Sequence, residues 1–392
     1  MMFKKPAIWI LILALQTAYV WAGIAGAENR YGQDPRKDSA IVYYNKGMNK
    51  NATGDFVEAV RWFTRAIESD SSLVAAYLNR AYAKNKLLDF KSAIHDYNTA
   101  LKMKNVTWEE QYEAYYNRGL VQAALDNLKG AMSNFDQAIQ LNPNYADAYY
   151  NRSIIKGISG DYMGELEDIN TVIELQPTNP DAYNSRGIVY SLLGKSQEAL
   201  QDFEKAIQLQ PENSEAYFNR GIVYYDMKDY RASLTDFSKA IQLRPDGEAY
   251  DRRGNVKVRL NDYRGAFDDY TEAINLQPKN YVAYFNRGKL KCELKDFESA
   301  IEDFSKAIKL RPDMAVAYYE RARAKRELKD LQGEIADYTL ALDYKPEYET
   351  AYYMRGMAKY EMGDQFGGCE DLNKAVRLGS DLAYNYLIRH CK

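Results

Sequence analysis

The stretch "YYNRG" (Tyr115–Gly119) sets an aromatic ring, a guanidinium and a residue with no side chain within five positions. On an α-helix its first, fourth and fifth residues share one face. Close copies recur: "YLNRA" from Tyr77, "YYNRS" from Tyr149, "YNSRG" from Tyr183, "YFNRG" from Tyr217 and Tyr284, "YYERA" from Tyr318 and "YYMRG" from Tyr352. A charge therefore rides on the same stripe as residues that read as buried, again and again along the chain.

Aligning the copies gives a period of 34 residues over most of the sequence. Ten units begin near Ala40, Val74, Tyr112, Ala146, Pro180, Ser214, Gly247, Tyr281, Ala315 and Glu349. The second carries four extra residues around "NVTWEEQ" (Asn105–Gln111). The sixth is one short at "RPDG" (Arg244–Gly247). Both changes are expected between helices, where length changes cost least.

Four columns define the unit. Position 4 is Tyr in all ten copies, from Tyr43 to Tyr352, and position 8 is always small, from Gly47 through Ser153 to Gly356. Position 24 is aromatic in eight copies, Phe135 and Tyr270 among them, and position 27 is Ala in nine. Positions 4, 8 and 11 lie along one helix face and 20, 24 and 27 along another, so each unit predicts two amphipathic helices. A breaker such as "GDY" (Gly160–Tyr162), "KDY" (Lys228–Tyr230) or "NDY" (Asn261–Tyr263) separates them. Seven units place a Pro after the second helix, and no Pro falls inside a predicted one. The small residue at position 8 admits the paired helix, and rings at 4 and 24 fill the flanks. One such pair cannot bury its apolar faces alone, so neighbouring units supply the core.

The unit resembles a tetratricopeptide repeat. The small residue at 8, aromatic at 24, Ala at 27 and Pro at 32 carry the likeness over about Ala40–Asp381. The family's usual Trp at position 4 is Tyr here, and its usual Leu at position 7 is mostly Arg. Glu165 and Glu334 replace the usual Ala at position 20. The resemblance implies an all-α, right-handed α-solenoid of about ten helix-turn-helix units. The expected organisation is a leader at 1–27, a linker at 28–39, the solenoid at 40–382 and a capping helix at 383–392. Cys369 and Cys391 stand where a disulfide would tie that last helix to the unit below. In a reducing compartment they stand as two free thiols.

Position 7 holds nine arginines, and position 23 of the second helix holds eight aspartates. A buried guanidinium is costly unless paired, and Arg meets a carboxylate through two parallel hydrogen bonds. Structural ion pairs are expected, among them Arg186 with Asp202, Arg220 with Asp236, and Arg287 with Asp303, either within a unit or with the unit before. The first unit favours pairing within the unit, because Lys46 and Trp62 replace both members together. Arg118 is the test case: within-unit pairing offers it only Asn134, whereas pairing with the previous unit offers Asp96. The competing reading of the column is an arginine ladder that captures an acidic ligand.

Composition excludes several classes. Lys+Arg 52 against Asp+Glu 55 gives a net charge of -3, which argues against a nucleic-acid partner. His95 and His390 are the only histidines, and the cysteines, with Cys292 the third, show no CxxC spacing. A His-rich metal site, a Ser-His-Asp triad or a zinc ribbon is hard to build from these. No Gly-rich phosphate loop or nucleophile motif occurs. No catalytic residue, metal, cofactor or small-molecule substrate is expected.

Lys4 and Lys5 precede the apolar run Pro6–Ala27, which ends in small residues. This reads as a secretory signal cleaved after Ala25-Gly26-Ala27, or after Val20-Trp21-Ala22. The alternative is a retained anchor, since about 20 residues suffice to span a membrane; only then is a membrane partner expected. The expected location is a bacterial periplasm or cell envelope, or the exterior.

The family likeness implies a concave groove lined by the first helices, with positions 2, 5, 9, 12 and 13 facing a protein or peptide partner. On this sequence those positions hold Tyr116, Leu120, Tyr150, Ile154, Ile188, Phe218, Ile222 and Tyr225, then Phe285, Tyr319 and Arg323. Later units turn polar and charged there through Asp251, Asn255, Lys289, Glu293, Arg326 and Glu327. Some family members hold a chaperone's C-terminal carboxylate in a Lys/Asn clamp. Asn255 and Asn286 match parts of it, but Asp251, Val316 and Glu320 occupy the rest, so no co-chaperone role is expected. The leading function is a non-enzymatic scaffold or adaptor. The alternatives are a membrane-anchored adaptor of an envelope assembly complex and a regulatory subunit of an enzyme.

Overall fold

The computed structural model describes residues 35–391. The expected leader, its cleavage sites and residues 28–34 lie outside that range. The described residues form 21 helices and no strand. None of these helices is long and apolar enough to cross a membrane. Contacts divide the chain into two bodies between Pro211 and Glu212. The first holds five helix pairs. The second holds five more and a final helix, Asp381–His390.

The turn between paired helices has one physical design throughout. Position 15 has φ between 59° and 96° in every unit. Gly occupies it in four units; Leu88, Asp126, Lys228, Asn261, Lys295 and Lys329 hold the left-handed conformation in the others. That residue ends the first helix. The next residue is Asp or Asn in nine units, and its side chain accepts the N–H three positions on, capping the second helix. So the breakers read from sequence are a helix stop joined directly to a helix start.

The close approach at position 8 is real and tight. A Cβ built on Gly47 falls 2.5 Å from the Phe63 ring, and one on Gly254 falls 2.7 Å from that of Tyr270. Phe63, Phe135, Phe203, Phe237 and Phe304 are all essentially solvent-free. Each such ring contributes about 1.5–3 kcal/mol by burial. The two Glu residues at position 20 are accommodated differently. Glu165 occupies the space that Gly157 leaves open. Glu334, fully buried, accepts from Arg326 Nη1 at 2.9 Å, and Arg326 Nη2 reaches Glu361 of the next unit at 2.7 Å.

Three boundaries differ from expectation. The first helix begins at Pro35, so the end of the expected linker is helical. The insertion at Asn105–Gln111 does not stay between helices: Trp108–Gln111 adds a turn to the third unit's first helix, Trp108–Ala124. Thr107 and Glu110 close a reciprocal cap on it, a signature present in "TWEE" that the repeat register obscured. The last helix starts at Asp381, two residues early, because Ser380 caps it.

Candidate functional site

The arginine column pairs within units. Arg186 donates Nε and Nη2 to Asp202 at 2.7 and 2.8 Å. Arg220 does the same to Asp236 at 2.7 and 2.8 Å, and Arg287 to Asp303 at 2.9 and 2.8 Å. The remaining five aspartates repeat this fork. Each of the nine guanidiniums also sits 5.2–5.8 Å from the centre of its own unit's position-4 Tyr ring. That is why Tyr precedes Arg by three: ring and cation stack on one helix turn. Arg220 is held above its usual range by hydrogen bonding to Asp236. Burial pushes the Asp236 carboxyl up.

Two further columns complete the ladder and escaped sequence reading. In six units a Lys at position 11 reaches the same carboxylate, as Lys291 does Asp303 at 2.8 Å. In the eight arginines other than Arg220 the third guanidinium nitrogen, Nη1, crosses to position 25 of the preceding unit: Arg287 to Thr271 Oγ1 at 3.1 Å, Arg186 to Asn170 Oδ1 at 2.8 Å, Arg355 to Thr339 Oγ1 at 3.0 Å. One side chain thus closes its own unit and ties it to its neighbour. The signals were a Lys four residues after the Arg and a polar residue two after the Asp.

The exceptions follow the same logic. Arg118 donates to Asn134 Oδ1 at 2.8 Å and to Asn98 Oδ1 at 2.6 Å; it finds no carboxylate, and burial lowers its pKa. Asp96 belongs to Arg80 and Lys84 instead. In the first unit Trp62 stacks on Tyr43 at 5.8 Å, with Lys46 4.6 Å and Arg65 5.0 Å from its ring centre. An aromatic-cation stack replaces the ion pair there.

The expected partner-binding residues separate into two groups. Leu120, Ile188, Phe218 and Ile222 are buried and present no surface. Position 5 leans onto the position-24 ring of its own unit, as Phe218 does on Phe237 at 5.5 Å. Leu120 at position 9 joins Phe135 and Ile155 in the core. Tyr116 is also largely packed, against Phe135 and Tyr145, with its hydroxyl accepting from Asn151 at 3.0 Å.

Tyr150, Ile154, Tyr225, Phe285 and Tyr319 are half-buried, and Arg323 is exposed. Tyr150 OH pairs with Ser185 Oγ at 3.1 Å, and Tyr225 OH accepts from Arg259 Nε at 3.3 Å. Phe285 rests on Phe304 at 5.8 Å, and Tyr319 on Tyr338 at 5.5 Å and Tyr348 at 5.0 Å. In the second body the first helices of units seven to nine touch in succession. They show Phe285 and Tyr319 beside exposed Lys289, Glu293, Arg323 and Glu327.

Asp251, expected on that face, is buried instead and accepts from Asn286 at 2.8 Å and Asn255 at 3.4 Å. Burial pushes its carboxyl up to about 6. The two asparagines matching the clamp are thereby occupied. At the end of the second body Cys369 and Cys391 form a disulfide, Cα–Cα 5.8 Å.

Tetratricopeptide repeat models match residues 40–73, 112–145, 134–167, 180–213, 214–246, 247–280 and 281–314, together more than half of the chain. RNA polymerase II-associated protein 3 of Xenopus laevis is 30% identical over 107 residues, 27% of this chain and 16% of that protein. Human tetratricopeptide repeat protein 6 is 32% identical over 100 residues, 26% of this chain and 18% of its own length. The chain therefore spans under a fifth of either relative. A tetratricopeptide repeat protein from Parabacteroides merdae shares the fold, with a TM-score of 0.50 at 19% identity over 65% of this chain and 99% of that one. Helix pairs at this spacing, with the small-to-aromatic contact at their centre, place the chain in the tetratricopeptide repeat family.

Proposed function

We propose that this chain is a non-enzymatic adaptor that holds a segment of a protein partner against the first-helix face of its second body. The supporting observation is the surface of units eight and nine. Phe285 and Tyr319 are half-buried, resting on Phe304 and Tyr338, and Lys289 and Arg323 are exposed beside them. Rigid rings flanked by charge are typical interface anchors. Tyr150 and Ile154 offer a smaller, apolar counterpart in the first body. The arginine ladder takes no part, because its guanidiniums are engaged in forks, stacks and cross-unit bonds.

The adaptor works outside the cytoplasm. A basic start, an apolar run and a small-residue end at Lys4–Ala27 support export, and the Cys369–Cys391 bridge is suited to an oxidising compartment. A capture experiment with envelope extract tests both points. The wild-type chain is expected to retain specific proteins and a Lys289→Glu/Arg323→Glu variant to lose them. Equal capture by both sinks the binding face. Mass analysis of the exported chain is expected to show a start at Glu28; a start at Met1 in a membrane fraction supports the anchored adaptor instead.

A further inference from the structure

In the first body the first helices of units three, four and five are Trp108–Ala124, Ala146–Ile158 and Pro180–Leu192. Position 5 of one bonds to position 6 of the next, which sets the three side by side. Tyr116 OH accepts from Asn151 at 3.0 Å, and Tyr150 OH pairs with Ser185 Oγ at 3.1 Å. One turn earlier on the same face stand Glu113, Asp147 and Asp181, at position 2 of the three units. Positions 2, 5, 9, 12 and 13 of these units hold those three acids and no Lys or Arg. The same positions of units seven to nine hold Arg259, Lys289, Arg323 and Arg326 beside four acids. The helix dipole accounts for an acid in each first turn, but not for a face without a base over three units.

The inserted turn extends this face. Glu109 precedes Glu113 by four residues, so the two stack on one side of the helix. Trp108, 56% exposed, lies 5.7 Å from Tyr112, which lies 5.1 Å from Tyr145, itself 4.9 Å from Tyr116. A run of rings thus leads from solvent to the packed Tyr116. Burial pushes the Tyr145 and Tyr116 hydroxyls up, and Glu113 and Asp147 push them further, so both acids lie beside these rings. Asp147 and Asp181 are exposed, and among the described residues no ion pair engages Glu109 or Asp147. The arginines of these units, Arg118, Arg152 and Arg186, are committed to the ladder. We propose that this face binds an extended, Arg- or Lys-rich segment of a partner protein. Its cations lie over Trp108 and along Glu109, Glu113, Asp147 and Asp181, with aliphatic side chains on Ile154. A cation over an indole and beside a carboxylate is attracted by both. Polyanions such as nucleic acid or an anionic lipid surface are repelled here. The face shares no residue with Phe285 and Tyr319 and does not depend on the function proposed for them.

The probe is a fluorescein-labelled peptide of about nine residues alternating Arg and Leu, titrated with the full chain and read by anisotropy. At about 50 mM salt the dissociation constant is expected on the order of 10 µM, weakening as salt rises to about 300 mM. Glu109→Lys/Asp147→Lys is expected to weaken binding about tenfold, and Trp108→Ala about threefold. Glu167→Lys/Glu174→Lys changes the net charge equally on the second helix Tyr162–Leu175, where both acids are exposed. That variant is expected to stay within about twofold of the wild type, and so is Lys289→Glu/Arg323→Glu. Equal loss in Glu167→Lys/Glu174→Lys reduces the effect to net charge and overturns the proposal. So does equally tight binding of the matching peptide of Glu and Leu, or no binding of the Arg peptide. Wild-type binding by Glu109→Lys/Asp147→Lys or by Trp108→Ala overturns it as well. Loss of the Arg peptide in Lys289→Glu/Arg323→Glu moves the peptide to the second body, which overturns this proposal and leaves the adaptor reading standing.

Discussion

Replacing Arg220 by Leu and, separately, Arg287 by Leu tests the ladder where its parts differ. Asp236 is 3% exposed and takes two hydrogen bonds from Arg220. Position 11 of that unit is Tyr224, which stacks on Arg220 and brings no charge. Arg220→Leu therefore leaves a buried carboxylate with no cation in its unit, which costs about 3–5 kcal/mol. In the eighth unit Lys291 remains 2.8 Å from Asp303 after Arg287→Leu. The carboxylate there keeps a cation, so the loss is expected to be smaller than that of Arg220→Leu. Repeat stability is close to a sum of unit and interface terms, so urea denaturation is best joined with amide exchange in helices Tyr230–Leu243 and Phe297–Leu310. The deficit of Arg220→Leu also depends on pH. Burial already holds the Asp236 carboxyl above its ordinary value. A protonated Asp236 needs no cation, so the deficit is small near pH 4 and grows as pH rises through the carboxylate range toward 7. Equal losses in the two variants, or an Arg220→Leu loss that is flat between pH 4 and 7, would refute the reasoning. Lost partner capture at unchanged stability would instead make the column a ligand site.

Asp251→Asn tests a buried carboxylate pushed up to about 6. Its charged form is penalised as pH rises from the unfolded value near 4, so the variant is expected to gain about 1–2 kcal/mol at pH 7 and little at pH 4. Denaturant midpoints at the two pH values decide it. Gly47→Ala sets a methyl 2.5 Å from Phe63, whereas Gly221→Ala meets Phe237 at 3.2 Å. The first is expected to cost about 1–3 kcal/mol, and the second to stay within about 1 kcal/mol because Ala also favours the helix. Cys391→Ser is expected to free the last helix and cost about 2–4 kcal/mol locally. Reductant should reproduce the loss in the wild type and leave the variant unchanged.

The fold was legible because its signal repeats. Tyr115, Arg118 and Gly119 mean little once; ten copies at one period leave few alternatives. The same repetition hid what was not periodic. The Thr107–Glu110 cap lies upstream of Tyr112, where the period sets the start of the unit, so the period does not reveal it. Lys291 and Thr271 carry no comparable signal, because the fork between the Arg and Asp columns already balances the charge. The candidate site was harder. Phe218 and Phe285 occupy the same position of the unit with the same side chain. Yet Phe218 is buried, and Phe285 is only half-buried.

By itself the sequence determined the period, the helix pairs, the close contact of small residue and ring at their centre and the need of each Arg in the column for a hydrogen-bond acceptor. These are properties of one unit, set by spacing along a chain of known helical rise. Only the tertiary structure decided which side chains are shared between units. The bond from Arg287 Nη1 to Thr271 and the capture of Asn286 by Asp251 depend on what the neighbouring unit places opposite. A period read along one chain does not say what meets across the gap between two of its turns.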